Sequence, residues 1–419
     1  MNINFLVILN QDIPAKILMN HRIFLKMGGK KDNIAFINGN RVFGERGLVT
    51  EIGSDIWYHK RRVMDAAFHK NSLRDLHGQM NDIAKKLSLY LEEAKQQENL
   101  DIYPVLIKVA LEAICRCGFN LNDDIIFSKD VLLTDAFKHI FYATQLQFQC
   151  CLKFALPWCF RKEKDALKKH IDMIRSSLRK HLKAKIESDK KNTDNTKDML
   201  HYIIKGNSYQ DKLDIEDVVD DFFVFVVAGT ETSAIVMALV LWYLMKNPEI
   251  SAKVQAEVEE AFGDGDSISF DDINKLPFLE QCIKETMRIH PPAQATLRVN
   301  WNEAATVNGL YIPKEAHIMM SEEIVQRRAD IWPDPMKFDP DRFSPDAPRI
   351  KPFTYMPFMA GPRSCIGKHF AMLEMKVMIS RIFKDFTLVD PRPEMQEIAM
   401  KTVVTSKPKD GVYIGFKKR

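Results

Sequence analysis

The chain has 419 residues, 46% hydrophobic and 28% charged, which excludes a disordered or fibrous protein and leaves enough length to bury a large core and enclose a cofactor. Sixty Lys and Arg against 56 Asp and Glu leave a net charge of +4, too balanced for a dedicated nucleic-acid binder. Seven cysteines, an odd number with no C-x-x-C, argue against a disulfide framework or structural zinc site and fit a reducing compartment.

In chain order, Met1–Asn10 lacks a basic start and has too short an apolar run for a secretory signal, so it reads as a buried strand. Met80–Ala110 carries helical spacing, with Leu87, Leu91, Leu100 and Ile107 among charges. Phe148–Phe160 is apolar and aromatic, Arg161–Lys191 is basic with a helical period, and Asp189–Lys197 is a polar loop. Asp214–Met245 predicts a long helix, capped by Asp214 and stopped by Asn247-Pro248. Helices follow over Ser251–Phe262, ended by Gly263, and Leu276–His290, closed by Pro291-Pro292. Leu297–Val299, Thr306–Ile312 and His317–Met320 are short strands, and the proline-rich Trp332–Pro357 is an ordered loop. A last helix runs from Gly367 to Lys384, and Thr402–Phe416 reads as strands. The nearest approach to the ~20 apolar residues of a membrane span is Phe222–Met245, interrupted by Glu231. The pattern predicts one mainly α domain over 1–419 with small β-sheets near its ends, an α+β fold.

The strongest chemical signal is Phe358-Met359-Ala360-Gly361-Pro362-Arg363-Ser364-Cys365-Ile366-Gly367, which fits F-x-x-G-x-R-x-C-x-G. Five fixed positions at average residue usage match by chance in roughly one chain in ten thousand. A lone cysteine is ordinarily a buried structural one. Here it stands before a helix N-terminus, where the dipole favours an anionic sulfur, and predicts a thiolate haem ligand. Gly361 and Gly367 let the backbone approach a flat macrocycle, Arg363 can pair with a propionate, and Phe358 can shield the sulfur from water. A phosphate loop is excluded, because Lys368 is followed by His369 rather than Ser or Thr.

On this motif the chain resembles the cytochrome P-450 family of haem-thiolate monooxygenases, and the resemblance extends over nearly its whole length. It implies the cytochrome P-450 fold, without the usual membrane anchor and first helix. It implies haem b with Cys365 as metal ligand, O2, and electrons from NADPH through NADPH–cytochrome P-450 reductase. Ala228-Gly229-Thr230-Glu231-Thr232-Ser233 resembles the family's oxygen-activation motif, implying Thr232 as hydroxyl donor at the oxygen site and Glu231 as proton relay. The plain alternatives are a solvated helix charge and a threonine bonded back to its own helix. Glu285-Thr286-Met287-Arg288 resembles E-x-x-R and implies a buried ion pair completed by Arg342; an ordinary surface pair is the competing reading. Trp57, Arg61 and Arg298 match propionate-binding positions, each otherwise a packed or solvated side chain.

The stretches Gly47–Leu73, Val224–Ala234 and Pro352–Ala371 resemble the branch that hydroxylates sterol side chains, with Thr230 a departure from it. Sterol side-chain hydroxylation is therefore the implied activity; a fatty-acid or xenobiotic hydroxylase of the same family, or a non-catalytic haem-binding fragment, is the alternative. Implied pocket residues are Val42, Phe43, Phe225, Ala228, Ala293 to Thr296 and Val403, with core packing as their bland explanation. Lys60, Arg62, Lys351 and Lys368 are candidates for docking the reductase's acidic surface. Leu152–Trp158, with the basic residues after it, is a candidate for dipping into a membrane surface, the cytosolic face of the endoplasmic reticulum being the implied location.

Overall fold

In a computed structural model the described residues are 5–9, 12–26, 47–49, 51, 54–94, 98–128, 158–191, 197–207, 214–300, 303–402 and 404–419. They fall into two compact units.

The first unit comprises Met1–Leu25, His77–Ala113 and Glu231–Arg419. Its four-stranded sheet has the order β1 (Phe5–Ile8), β7 (His317–Ser321), β4 (Ala295–Asn300), β2 (Phe24–Lys26). β1 runs parallel to β7 with Leu6 opposite Ile318, and β4 runs antiparallel to it with Thr296 opposite Met320. A three-stranded sheet joins β3 (Leu100–Asp101), β11 (Tyr413–Lys418) and β8 (Phe386–Val389). Two ladders complete the β structure: β5 (Ala305–Val307) with β6 (Leu310–Ile312), and β9 (Met400–Thr402) with β10 (Ser406–Pro408). Ile8, Ile318 and Met320 pack with Ile17 and Leu18 of helix α1 (Asp12–Met19), Phe24 and Met356 in one apolar cluster.

The second unit comprises Lys26–Leu76 and Ile114–Thr230. It holds α2 (Ser54–Asp65), the start of α3 (Lys70–Glu93), the end of α4 (Ile102–Phe119), α5 (Arg161–Lys190) and α6 (Met199–Asn207). It also holds the first half of α7 (Ile215–Lys246). α5 is helical because Leu167, Ile171, Ile174, Leu178 and Leu182 recur every three or four residues and bury one stripe. Arg175 and Arg179, flanking that stripe, pair with Asp220 and Glu216 of α7.

α7 starts where the sequence places it: Asp214 Oδ1 accepts a hydrogen bond from Glu216 N at 2.9 Å. It is long and apolar enough to cross a membrane, yet 78% of its apolar window is buried inside the protein, as in a core helix. α8 (Pro248–Phe262), α9 (Pro277–Ile289) and α11 (Lys368–Asp385) fall close to their predicted bounds. α10 (Glu322–Gln326) is a single short turn capped by Ser321, which accepts from Ile324 N. The predicted run over Met80–Ala110 is instead two helices, α3 and α4, separated by β3, whose partner Tyr413 lies at the far end of the chain. The calls on Val42, Phe43, Leu152–Pro157 and Val403 lie outside the described residues. The architecture is mainly α with small sheets, as composition and pattern predict.

Candidate functional site

Residues 356–367 form a tight loop entering α11. Met359 N donates to Met356 O at 2.8 Å, Ser364 N to Gly361 O at 3.0 Å and Cys365 N to Phe358 O at 2.9 Å. Gly361 has φ +77°, and a Cβ there would lie 2.6 Å from the Leu18 carbonyl oxygen. The loop therefore closes on the end of α1 only with glycine at this position. Cys365 is exposed and outside any disulfide, two residues before the α11 cap at Gly367. There the unsatisfied N–H groups and the helix dipole favour an anionic sulfur. A Cβ on Gly367 would meet only Cys365 Sγ, at 3.8 Å.

Cations gather in the same unit. Arg298 on β4 is buried and donates through Nη1 to Leu297 O at 2.9 Å, while its Nε and Nη2 meet no acceptor among the described residues. Burial pushes its guanidinium down to about 10, against the opposing charge of Glu322. The imidazole of His21 is lowered by burial and by the charges of Arg363, Arg22 and Arg298, which places these groups in one neighbourhood. A buried guanidinium with two unanswered nitrogens calls for an anion. Together with an exposed thiol at a helix N-terminus, this donor set fits a haem with its thiolate ligand and carboxylate edge.

The loop is braced from behind. Arg288 Nε and Nη2 donate to the two Glu285 oxygens at 2.7 and 2.9 Å, and both side chains are fully buried. The remaining Arg288 donors meet Gln326 O at 2.9 Å and Pro335 O at 2.6 Å. Arg342 Nε lies 3.3 Å from Glu285 Oε1, and Asp339 N donates to the same oxygen at 3.1 Å. Burial raises the Glu285 carboxyl above the usual range, and Arg288 opposes that shift. Gln326 completes the brace: its amide donates to Met287 O and Arg288 O, and its Oε1 accepts from Met356 N at 2.9 Å. Sequence reading missed this glutamine, because nothing local distinguishes it from a surface residue at the end of a short helix.

α7 is buried from Val218 to Met245 except at Val227–Gly229 and at Thr232. Ala228 is exposed, and Thr232 lies four residues on, so one narrow face of an otherwise enclosed helix is open. Gly229 would tolerate a Cβ in ordinary contact with Ile114 at 3.6 Å, so protein packing alone does not require glycine there. Glu231 is buried and points elsewhere: it accepts from Thr405 Oγ1 at 2.5 Å and Lys407 Nζ at 2.7 Å, and Tyr103 also bonds to it. None of these three partners is legible from the motif.

The structure thus gathers Phe358, Gly361, Arg363, Cys365, Gly367, Arg298, Ala293, Thr296, Glu231, Thr232, Glu285, Arg288 and Arg342 in the first unit. The second carries Trp57, Arg61, Phe225 and Ala228. Trp57 is buried, Arg61 Nε donates to Asp65 Oδ1 at 2.7 Å, and Phe225 packs edge-on against Phe68. Ala293 and Ala295 are exposed. Lys60 is buried against Asp217 at 3.1 Å, which removes it from the candidates for partner docking, whereas Arg62, Lys351 and Lys368 are exposed. Thr296 Oγ1 donates to Glu322 Oε1 at 2.6 Å, a buried acid that the sequence did not single out from its neighbour Glu323.

A sequence model described as cytochrome P450 family, here written cytochrome P-450, matches residues 1–414. Among curated proteins, cytochrome P-450 4A12 of Rattus norvegicus is 29% identical over 88% of this chain and 74% of its own length. Cytochrome P-450 4d2 of Drosophila melanogaster is 26% identical over 89% of this chain and 77% of its own. Taurochenodeoxycholic 6 alpha-hydroxylase of Sus scrofa is 28% identical over 88% and 74%. With a match spanning almost every residue, the chain belongs to the cytochrome P-450 family, the haem-thiolate monooxygenases that use O2 and electrons from a reductase.

Proposed function

We propose that this monooxygenase hydroxylates the hydrocarbon part of a lipid acid, a long-chain fatty acid in preference to a sterol. The observation that carries the lipophilic reading is the open face of α7, where Ala228 is exposed in a buried helix one turn from Thr232. The exposed Ala293 and Ala295 add small apolar surface, so recognition there is by shape and apolar contact. Of the relatives named above, one is named for hydroxylating a taurochenodeoxycholic substrate, an acidic steroid, which supports an acidic lipid; the choice of a fatty acid over a steroid is the part the titration below decides.

In this reading Cys365 holds the haem through its thiolate, with Phe358 limiting water at the sulfur. Arg298 and Arg363 take propionates. When bound, the haem supplies the iron at which O2 is activated, one oxygen atom entering a C–H bond and the other leaving as water with two electrons from NADPH. Thr232 presents its hydroxyl on the open face of α7 and holds a proton there. Glu231 exchanges protons with solvent along Thr405 and Lys407. Glu285, Arg288 and Arg342 keep the cysteine loop in place. Lys351 and Lys368 receive the acidic surface of the reductase, so turnover falls with rising salt. The endoplasmic-reticulum membrane is the setting that fits a lipid substrate and this partner.

The test is the carbon monoxide difference spectrum of the reduced protein, followed by titration of the oxidised protein with palmitate and with cholesterol. A thiolate-type band, lost in Cys365→Ala, and a low-to-high-spin shift with palmitate are expected. A shift with cholesterol alone returns the substrate assignment to the sterols. A thiol-type band overturns ligation by the Cys365 thiolate, and no band at all overturns the haem assignment.

A further inference from the structure

The buried acid beside Arg298 has no part in the roles above. Glu322 opens α10 immediately after β7, at 3% exposure. One oxygen is held by Thr296 Oγ1 at 2.6 Å; the other, Oε2, is buried with no donor among the described residues. Across from it, Arg298 has two buried nitrogens with no acceptor. Each charge acts on the other, yet no hydrogen bond joins them. Thr296 and Arg298 are two residues apart on β4, so both project from the same face of the strand. Two half-satisfied charges, fixed on rigid elements and left apart, are poised for a third group between or beside them.

We propose that Glu322 is a positioning residue for haem: it is the internal competitor of the propionate for Arg298, and it takes up a proton when haem is captured. This rests on the reading that Arg298 holds a propionate. A propionate on the guanidinium removes the cation that stabilises the Glu322 carboxylate and adds a like charge nearby. The carboxyl then holds its proton more tightly than in the haem-free protein. Burial already pushes it up to about 7, with Thr296 and Arg298 opposing, so the exchange falls near neutral pH.

The surrounding charges are accounted for. On α10, Glu323 is paired with Arg327 at 2.7 Å. β7 contributes His317 and Ser321, and β4 contributes Thr296 and Arg298. His21 and Arg22, from the segment before β2, and Arg363, from the cysteine loop, act on the Arg298 side of the cluster. Arg298 is the foremost charge acting on Glu322.

The experiment follows haem loss from the holoprotein to excess apomyoglobin at pH 6 and pH 8. Deprotonation at pH 8 restores the competitor, so the wild-type rate rises by about threefold to tenfold between the two, within the roughly hundredfold ceiling that one linked proton sets over two pH units. Glu322→Gln, neutral at both values, loses haem slowly and with no slope. His21→Gln keeps the slope, since that imidazole is not the linked group. A wild-type rate that is flat or falls with pH, a slope persisting in Glu322→Gln, or one abolished in His21→Gln overturns the proposal. Arg298→Gln separates the premise from the inference. Faster loss without a slope supports both, whereas unchanged loss removes the propionate assignment and the proposal together. Circular dichroism of each variant at both pH values confirms that the fold is kept.

Discussion

Arg288 and Arg298 are both almost fully buried, but their surroundings differ in kind. Every arm of Arg288 is answered by a carboxylate or a backbone carbonyl, so it is a finished structural pair. Arg298 is unfinished, which is the mark of a group that meets a ligand. Truncating Glu285 to Ala leaves the buried Arg288 guanidinium without its carboxylate and is expected to lower stability by about 3–5 kcal/mol. Urea unfolding measures it, and loss of the thiolate-type carbon monoxide band should accompany it. The cysteine motif was legible because its five positions sit within ten residues. Glu285 and Arg288 were legible as a pair, but Gln326 and Glu322 were not, because their partners are fixed by the fold rather than by spacing. Glu231 shows the same limit: the motif names the residue, while Thr405 and Lys407 come from another strand region.

Helix ends were readable wherever a capping side chain, a proline ring or a positive-φ glycine sets them, as with Asp214, Pro248 and Gly263. The break at Leu100–Asp101 was not, since its cause is pairing with β11 and not a local breaker. The cysteine loop shows how elements share a constraint. α1 packs its last turn against Gly361 so closely that the loop's position depends on a backbone far away in sequence. Gly361→Ala forces a left-handed conformation on a residue with a Cβ and drives that atom into Leu18 O, costing about 3 kcal/mol. The check is the urea midpoint together with the haem content of the purified variant. Both should fall, whereas Gly229→Ala, with its ordinary contact to Ile114, should leave the midpoint within about 1 kcal/mol.

Over the whole molecule, burial sets an unusual pH response. Glu322 and Asp221 are pushed up to about 7 and Glu374 to about 8, chiefly by desolvation. For such acids the folded state binds protons more tightly than the unfolded chain, so stability falls as pH rises from about 4.5 through these values. His290 is held down to about 3 by burial and by Arg327 and Arg288, so its contribution is complete above pH 6.5 and is lost on acidification. Between pH 4.5 and 6.5 the three acids outweigh the one imidazole, so calorimetry should find the melting temperature falling as pH rises above about 4.5, with a further drop of about 3–5 °C between pH 6.5 and 8.5. Glu374→Gln, which cannot ionise, should recover part of that loss.

The Leu9 carbonyl accepts from Arg328 Nη1 at 2.8 Å across a separation of 319 residues, and β1 pairs with β7 over a similar span. On a ribosome adding 5–20 residues per second, an N-terminal strand with such partners waits roughly 15–60 s for them. During that interval its backbone edge is an open template for any neighbouring chain. Yield of folded protein should consequently be governed less by the stability of the finished molecule than by chaperone supply and translation speed during this wait.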